Sequence, residues 1–275
     1  ISNSGSGQME FEIDGLGSPT DTVNILAFIN GVDMSTEYPN TIAAIGSSFS
    51  NYTLTQFTGT DSAGLRSALT GKNVLLFPEQ ETGSINFYPA LSNVVNDFLI
   101  AGNTVILCGS SSNTSYLRLS DMNLFTGLYI SSTTSGNLIT NDTTDAITDQ
   151  VPLSFTSPNL ANYYDFTNSD KVELISYNSY DVVSYRNVGS GKVIYVGFDF
   201  YSSNTVADRI MSNAVRNATT SSGLPDYLSV SPTSGTVNVG GSTIVYVTIN
   251  TAGMPAGTYN TQSSIISNDP ANPTI

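Results

Sequence analysis

Tyr185-Arg-Asn-Val-Gly-Ser-Gly-Lys-Val-Ile-Tyr-Val-Gly-Phe-Asp-Phe-Tyr201 is the stretch on which the fold turns. A Gly-Ser-Gly turn leads into Val193-Ile-Tyr-Val196, a short apolar run rich in β-branched residues. Such a run, bounded by turn residues, reads as a buried strand. The glycines precede the strand instead of joining a strand to a helix N-terminus, so they form a turn and not a phosphate loop. Behind the strand come Asp199 and Tyr201, and then a predicted helix from about Thr205 to Asn217.

The same texture recurs upstream. Val23-Asn-Ile-Leu-Ala-Phe-Ile29, Asn73-Val-Leu-Leu-Phe77 and Thr104-Val-Ile-Leu-Cys108 read as further buried strands. Helices are predicted between them: Tyr38 to Phe49, Asp61 to Leu69 behind an N-cap aspartate, and Phe87 to Ala101. The last repeats Leu91, Val94, Val95, Phe98 and Leu99 at helical spacing. Asn51 to Phe57 alternates like a strand, and a looser region around Leu124-Phe125-Thr-Gly-Leu128 precedes strands at Lys171 to Ile175 and Val182 to Arg186. Buried strands separated by helices predict an α/β domain: an open, mostly parallel sheet with helices on both faces. In such a sheet the strand C-terminal ends share one edge, which is where ligands bind.

Residues 224–275 differ. Turn signals recur every eight to twelve residues, with apolar runs at Thr236-Val-Asn-Val239, Ile244-Val-Tyr-Val-Thr-Ile249 and Thr258 to Ile266. This spacing predicts antiparallel, Ig-like β-sandwich strands. The piece is too short to close a sandwich, so residues 1–13 are expected to return as a partner strand. The predicted organisation is thus 1–19 as the first part of a β-sandwich module, 20–218 as an inserted α/β domain, and 224–275 as the truncated second part. Insertion at a surface turn is readily tolerated.

Composition narrows the function classes. The chain has 275 residues, 39% hydrophobic and 10% aromatic, enough to bury two cores. Eight Lys and Arg stand against 22 Asp and Glu, a net charge of −14, which argues against nucleic acid and anionic lipid as partners. Histidine is absent, removing most hydrolase triads and transition-metal sites. Cys108 is the single cysteine, so no internal disulfide forms. No apolar run approaches the roughly 18 residues of a membrane span. Ile1 starts and Ile275 stops in mid-strand on the module reading, so the segment is expected to belong to a longer, exported protein whose signal lies elsewhere.

Two family resemblances follow from the quoted residues. Tyr185 to Tyr201, with Asn73 to Phe77 and the strand entering Cys108, resembles the class I glutamine amidotransferase-like superfamily and its trehalose-utilisation-type branches, over roughly residues 22–218. That resemblance implies a flavodoxin-like sheet and a cysteine–histidine–acid triad with the cysteine on a tight strand-to-helix turn. Cys108 holds the matching position and Gly109 follows it. Ile106 and Ser110 replace the flanking glycines, however, and no histidine exists to act as base. The reading is a catalytically silent domain in which Cys108 is a small apolar residue at a strand end. Residues 1–13, with Tyr227-Leu-Ser-Val-Ser-Pro-Thr-Ser-Gly235, Pro255-Ala-Gly-Thr-Tyr259 and Ser267-Asn-Asp-Pro270, resemble a bacterial surface module of the BACON and ASH-like kind. It implies a secreted or cell-surface protein of adhesin or surface-array type.

The strand ends gather polar groups: Asn30 and Asp33 after the first strand, Glu79, Gln80 and Glu81 after the third, Asp199 and Tyr201 after Val196. In a parallel sheet these form one rim beside Cys108. They could serve as a solvated edge, bind glycan hydroxyls with Tyr201 as a stacking face, or coordinate Ca²⁺ through Asp33, Glu79 and Asp199. The expected role is structural display with recognition at this rim. Neighbouring modules, glycans and secretion or anchoring proteins are the expected partners. The alternatives are a carbohydrate-active enzyme using rim acids and a segment of export cargo. Asn141 to Asp149 is acidic but lacks EF-hand spacing.

Overall fold

The computed structural model describes residues 1, 3, 8–14, 22–81, 86–110, 114–133, 135–218, 228–232, 234–249 and 264–268. It divides into a larger unit, Thr22–Thr219, and a smaller unit made of Ile1–Asp21 and Thr220–Ile275. In chain order the elements begin with β1 (Met9–Asp14), β2 (Val23–Phe28), α1 (Glu37–Gly46), β3 (Tyr52–Phe57), α2 (Ser62–Ala68) and β4 (Val74–Phe77). Next come α3 (Tyr88–Ile100), β5 (Thr104–Cys108), α4 (Thr114–Asp121), β6 (Gly127–Thr133), β7 (Asn137–Thr140) and a 3₁₀ turn (Ala146–Thr148). They continue with β8 (Ser154–Thr156), β9 (Ala161–Phe166), β10 (Val172–Tyr177), β11 (Tyr180–Val188), β12 (Gly191–Val196) and α5 (Thr205–Arg216). The chain closes with β13 (Leu228–Ser231), β14 (Ser234–Val237), β15 (Tyr246–Ile249) and β16 (Ser264–Ser267).

The larger unit is a mixed α/β structure around one large sheet. Its centre is parallel, in the order β3-β2-β4-β5-β12. Among these five strands that is second, first, third, fourth, fifth, the flavodoxin-like order. Leu26, Leu75, Val105 and Val193 share one row across the sheet, and their side chains join one core with Leu65 of α2, Leu91 and Val95 of α3, and Leu119 of α4. The next residues along, Leu76, Ile106 and Ile194, face the opposite core with Ile45 of α1 and Ile210, Met211 and Ala214 of α5. Successive strand residues point to opposite faces. A central strand between two helical layers must therefore be apolar at every position, which is why these runs stand out in the sequence.

Beyond β12 the sheet turns antiparallel through β11, β10, β7 and β8, with β9 against β11 and β6 against β9. This corrects the expectation of strands alternating with helices throughout, and it fills the looser region with α4 and β6 to β9. The physical reason is exposure. β6 alternates between exposed and half-buried residues and β8 is mostly exposed, so their Ser and Thr positions mimic a loop. Gly189 turns the β11–β12 hairpin at φ +60°, and a Cβ there would meet Ile100 Cα at 2.8 Å. Only glycine lets this hairpin sit against the end of α3.

Asp181 of β11 pins this half together. It is 1% exposed and accepts hydrogen bonds from Lys171 Nζ at 2.5 Å, Ser184 Oγ at 2.5 Å and the Phe166 amide at 3.2 Å. A buried charge is tolerable when paired and hydrogen-bonded in this way.

In the smaller unit, β1 lies between β14 and β16, antiparallel to both, with Met9 opposite Val237 and Glu12 opposite Ile266. β13 pairs antiparallel with β15. The Ile1 amine donates to the Thr243 carbonyl at 2.9 Å and Asn3 Nδ2 to Val237 O at 2.7 Å. The N-terminal strand is thus held by residues more than 200 positions away. Of the strand predicted from Thr258, residues 264–267 are seen as β16; its first part lies outside the described residues, as do Tyr227, Gly253 to Gly257, Asp269 and Pro270. Among the described residues no helix is long and apolar enough to cross a membrane.

Candidate ligand site at the strand ends

In this strand order, the connections leaving β2 and β4 depart in opposite directions, which opens a crevice at their C-terminal ends. The two loops are tied together where the Glu81 amide donates to the Gly31 carbonyl at 2.9 Å. The β2–α1 loop brings in Asp33. Its Oδ1 accepts from the Ser35 amide at 2.8 Å and from the Ser35 hydroxyl, and the hydroxyl contact, followed by the amide, holds the Asp33 carboxyl below its ordinary value.

Glu37 opens α1 and is only 3% exposed. Carboxylate oxygens of Asp33, Glu37 and Glu81 all lie within 4.8 Å of one another, and one buried oxygen of Glu37 has no hydrogen-bond partner. Burial first, and then the charges of Glu81, Asp199 and Asp33, push the Glu37 carboxyl up to about 8. Among the described residues this is the one grouping of three acids close enough to share an ion. Sequence reading placed Asp33 and Glu81 on the rim and missed Glu37, which stands four residues beyond Asp33 at the first helical position.

The other predicted rim residues are placed differently. Asp33, Glu79 and Asp199, the calcium set expected from sequence, do not form such a grouping, and the acids that do meet Asp33 are Glu37 and Glu81. Glu79 and Gln80 are buried at 1% and 2% exposure, and Gln80 Oε1 accepts from the Tyr88 hydroxyl. Asn30 donates to Thr58 O at 3.0 Å, across to the end of β3. Asp199, 3% exposed, accepts from Asn159 Nδ2 at 3.0 Å and from the Tyr201 amide at 3.1 Å. Burial pushes its carboxyl up against those hydrogen bonds. Tyr201 projects to solvent.

Cys108 ends β5, wholly buried in the core on the α1 and α5 side, with Val196 and Phe198. Burial pushes its thiol far above the ordinary range, outweighing the opposing pull of the Arg118 charge. Arg118, also wholly buried, donates to Pro78 O at 2.7 Å and Cys108 O at 3.1 Å, bolting together the ends of β4 and β5. A Cβ on Gly109 would lie 2.4 Å from Gly197 O and 2.7 Å from Asn162 Oδ1. Asn162 Oδ1 in turn accepts from the Ser110 amide. The turn after Cys108 is therefore closed by the β12 end and Asn162. Neither Arg118 nor Asn162 had a sequence signal, because their partners are backbone groups distant in the chain.

These features define the larger unit as a flavodoxin-like, mixed α/β domain. Solved structures agree: a ThuA-like protein of Bacteroides uniformis matches at a TM-score of 0.53 and 13% identity, covering 74% of this chain and 93% of that one. A cytoplasmic protein of Salmonella typhimurium matches at 0.53 and 10%, covering 72% and 100%. A GMP synthase component from Thermoplasma acidophilum matches at 0.50 and 10%, covering 72% and 94%. At these identities the likeness is one of fold. No protein-family model and no curated protein matches the chain.

Proposed function

We propose that this chain is a non-catalytic segment of a large secreted or cell-surface bacterial protein, in which a silent amidotransferase-like domain is carried for display and for recognition at its strand-end rim. The observation that carries the reading is Cys108. At the position that the amidotransferase resemblance gives to the nucleophile, this thiol is fully buried in the apolar core, in a chain without histidine. A thiol held neutral with no base beside it cannot initiate acyl transfer. The smaller unit supports the surface setting: a strand from the N-terminal end lies between two from the C-terminal end, as an interrupted Ig-like, BACON/ASH-type sandwich requires. Its partners are then neighbouring modules of the same polypeptide, surface glycans or anchoring proteins.

Two measurements test this. A thiol-reactive probe should leave Cys108 unlabelled in the folded chain and label it after denaturation, and glutamine should yield no ammonia. Labelling of the native chain accompanied by glutaminase turnover would overturn the reading. Melting against an oligosaccharide panel, with Tyr201→Ala at the exposed rim, tests recognition there; a glycan that raises Tm in the parent alone supports it. A second reading, an extracellular carbohydrate-active enzyme, draws on the buried Glu37 carboxyl facing Asp33 and Glu81. Release of chromophore from a panel of aryl glycosides, lost in Glu37→Gln, would favour it.

A further inference from the structure

We propose that Asp33, Glu37 and Glu81 form a binding site for a hard divalent cation at the crevice between β2 and β4, taking calcium in preference to magnesium. The three oxygens all lie within 4.8 Å of one another, close enough for a single ion to reach them all. Calcium takes six to eight oxygen ligands in flexible geometry, whereas magnesium dehydrates reluctantly and is usually held by only one or two carboxylates, so a site of three protein carboxylates favours calcium. The donors are all carboxylate oxygens, the choice of hard cations over zinc or copper.

Glu37 is the second, independent observation. A carboxylate 97% withdrawn from solvent needs a counter-charge or a full set of donors, and an oxygen of Glu37 has neither. Among the described residues no Lys or Arg forms an ion pair with any of the three acids. The α1 N-terminus supplies roughly half a unit of positive charge, set against three carboxylates. Two other buried acids, Asp181 and Asp199, are satisfied: the first by Lys171, Ser184 and a backbone amide, the second by Asn159 and a backbone amide. Glu37 keeps a buried oxygen without a hydrogen-bond partner, and its carboxylate belongs to the three-acid group. Asp33 Oδ1 accepts from the Ser35 amide and hydroxyl, which fixes the orientation of its carboxylate.

The cation site stands apart from the display role, since a silent domain and an enzyme could each carry it. The test uses the full chain stripped with a chelator and titrated calorimetrically with CaCl₂ or MgCl₂, with melting followed in parallel. One calcium should bind per chain, and at about a hundred times Kd the larger unit should melt roughly 5 to 10 °C higher. Glu37→Gln, Asp33→Asn and Glu81→Gln should each weaken calcium binding at least tenfold. If Glu37→Gln fails to fold, the two variants outside the core carry the test. Absence of heat and of a melting shift up to about 10 mM calcium, above the range of extracellular calcium modules, would overturn the proposal. So would binding unchanged in all three variants, or magnesium bound as tightly as calcium.

Discussion

Asp181, on a strand of the antiparallel half of the sheet, and Glu37, at the start of α1 beside the parallel half, are buried to nearly the same degree, 1% and 3% exposed. Asp181 meets a lysine, a hydroxyl and a backbone amide. Glu37 meets two more acids. The first arrangement is complete as it stands and holds β9, β10 and β11 in register. The second gains stability only from something brought to it. Burial alone therefore does not separate a structural acid from a binding one; the inventory of partners does.

The sharpest way to break this contrast is at Lys171. Lys171→Met leaves Asp181 buried without its counter-charge and should cost about 3 kcal/mol, the lower end for a broken buried pair because two hydrogen bonds remain. Chemical denaturation measures it, and a loss below about 1 kcal/mol would show that Asp181 reaches water. Next in size is Cys108→Ser, which sets a hydroxyl among apolar side chains and should cost about 1 to 3 kcal/mol. An unchanged midpoint would mean that the thiol faces a polar pocket. Asp61 caps α2 by accepting from the Gly64 amide at 2.7 Å, and Asp61→Ala should cost about 1 kcal/mol. The smallest effect is expected at Glu37 itself. In chelator at neutral pH the Glu37 carboxyl, pushed up to about 8, is mostly protonated, so Glu37→Gln exchanges one neutral group for another and should shift stability by less than about 1 kcal/mol in either direction, a small change for a residue so buried. A large loss would mean that Glu37 already has a structural partner.

Legibility followed exposure. Val74-Leu-Leu-Phe77, Thr104-Val-Ile-Leu-Cys108 and Val193-Ile-Tyr-Val196 are buried on both faces, so their runs identified the parallel centre directly. Gly127-Leu-Tyr-Ile-Ser-Ser-Thr133 shows solvent one face, opens on a glycine and closes on three consecutive hydroxyl residues, and it read as a loop. At the site, Asp33 and Glu81 were legible because each follows a strand end. Glu37 was not, because an acid in the first turn of a helix is ordinary. Its neighbour Glu81 lies in the loop after β4, more than 40 residues further along the chain. Arg118 was hidden for a related reason: its acceptors are the Pro78 and Cys108 carbonyls, which carry no side-chain signature.

The most direct measurement is a crystal structure of the full chain grown with calcium chloride, with data collected at a wavelength that reveals the anomalous signal of calcium. The account predicts one strong peak between β2 and β4, with oxygens of Asp33, Glu37 and Glu81 about 2.4 Å away. A map with no peak there, and Glu37 hydrogen-bonded to ordered water or to a protein donor, would contradict it.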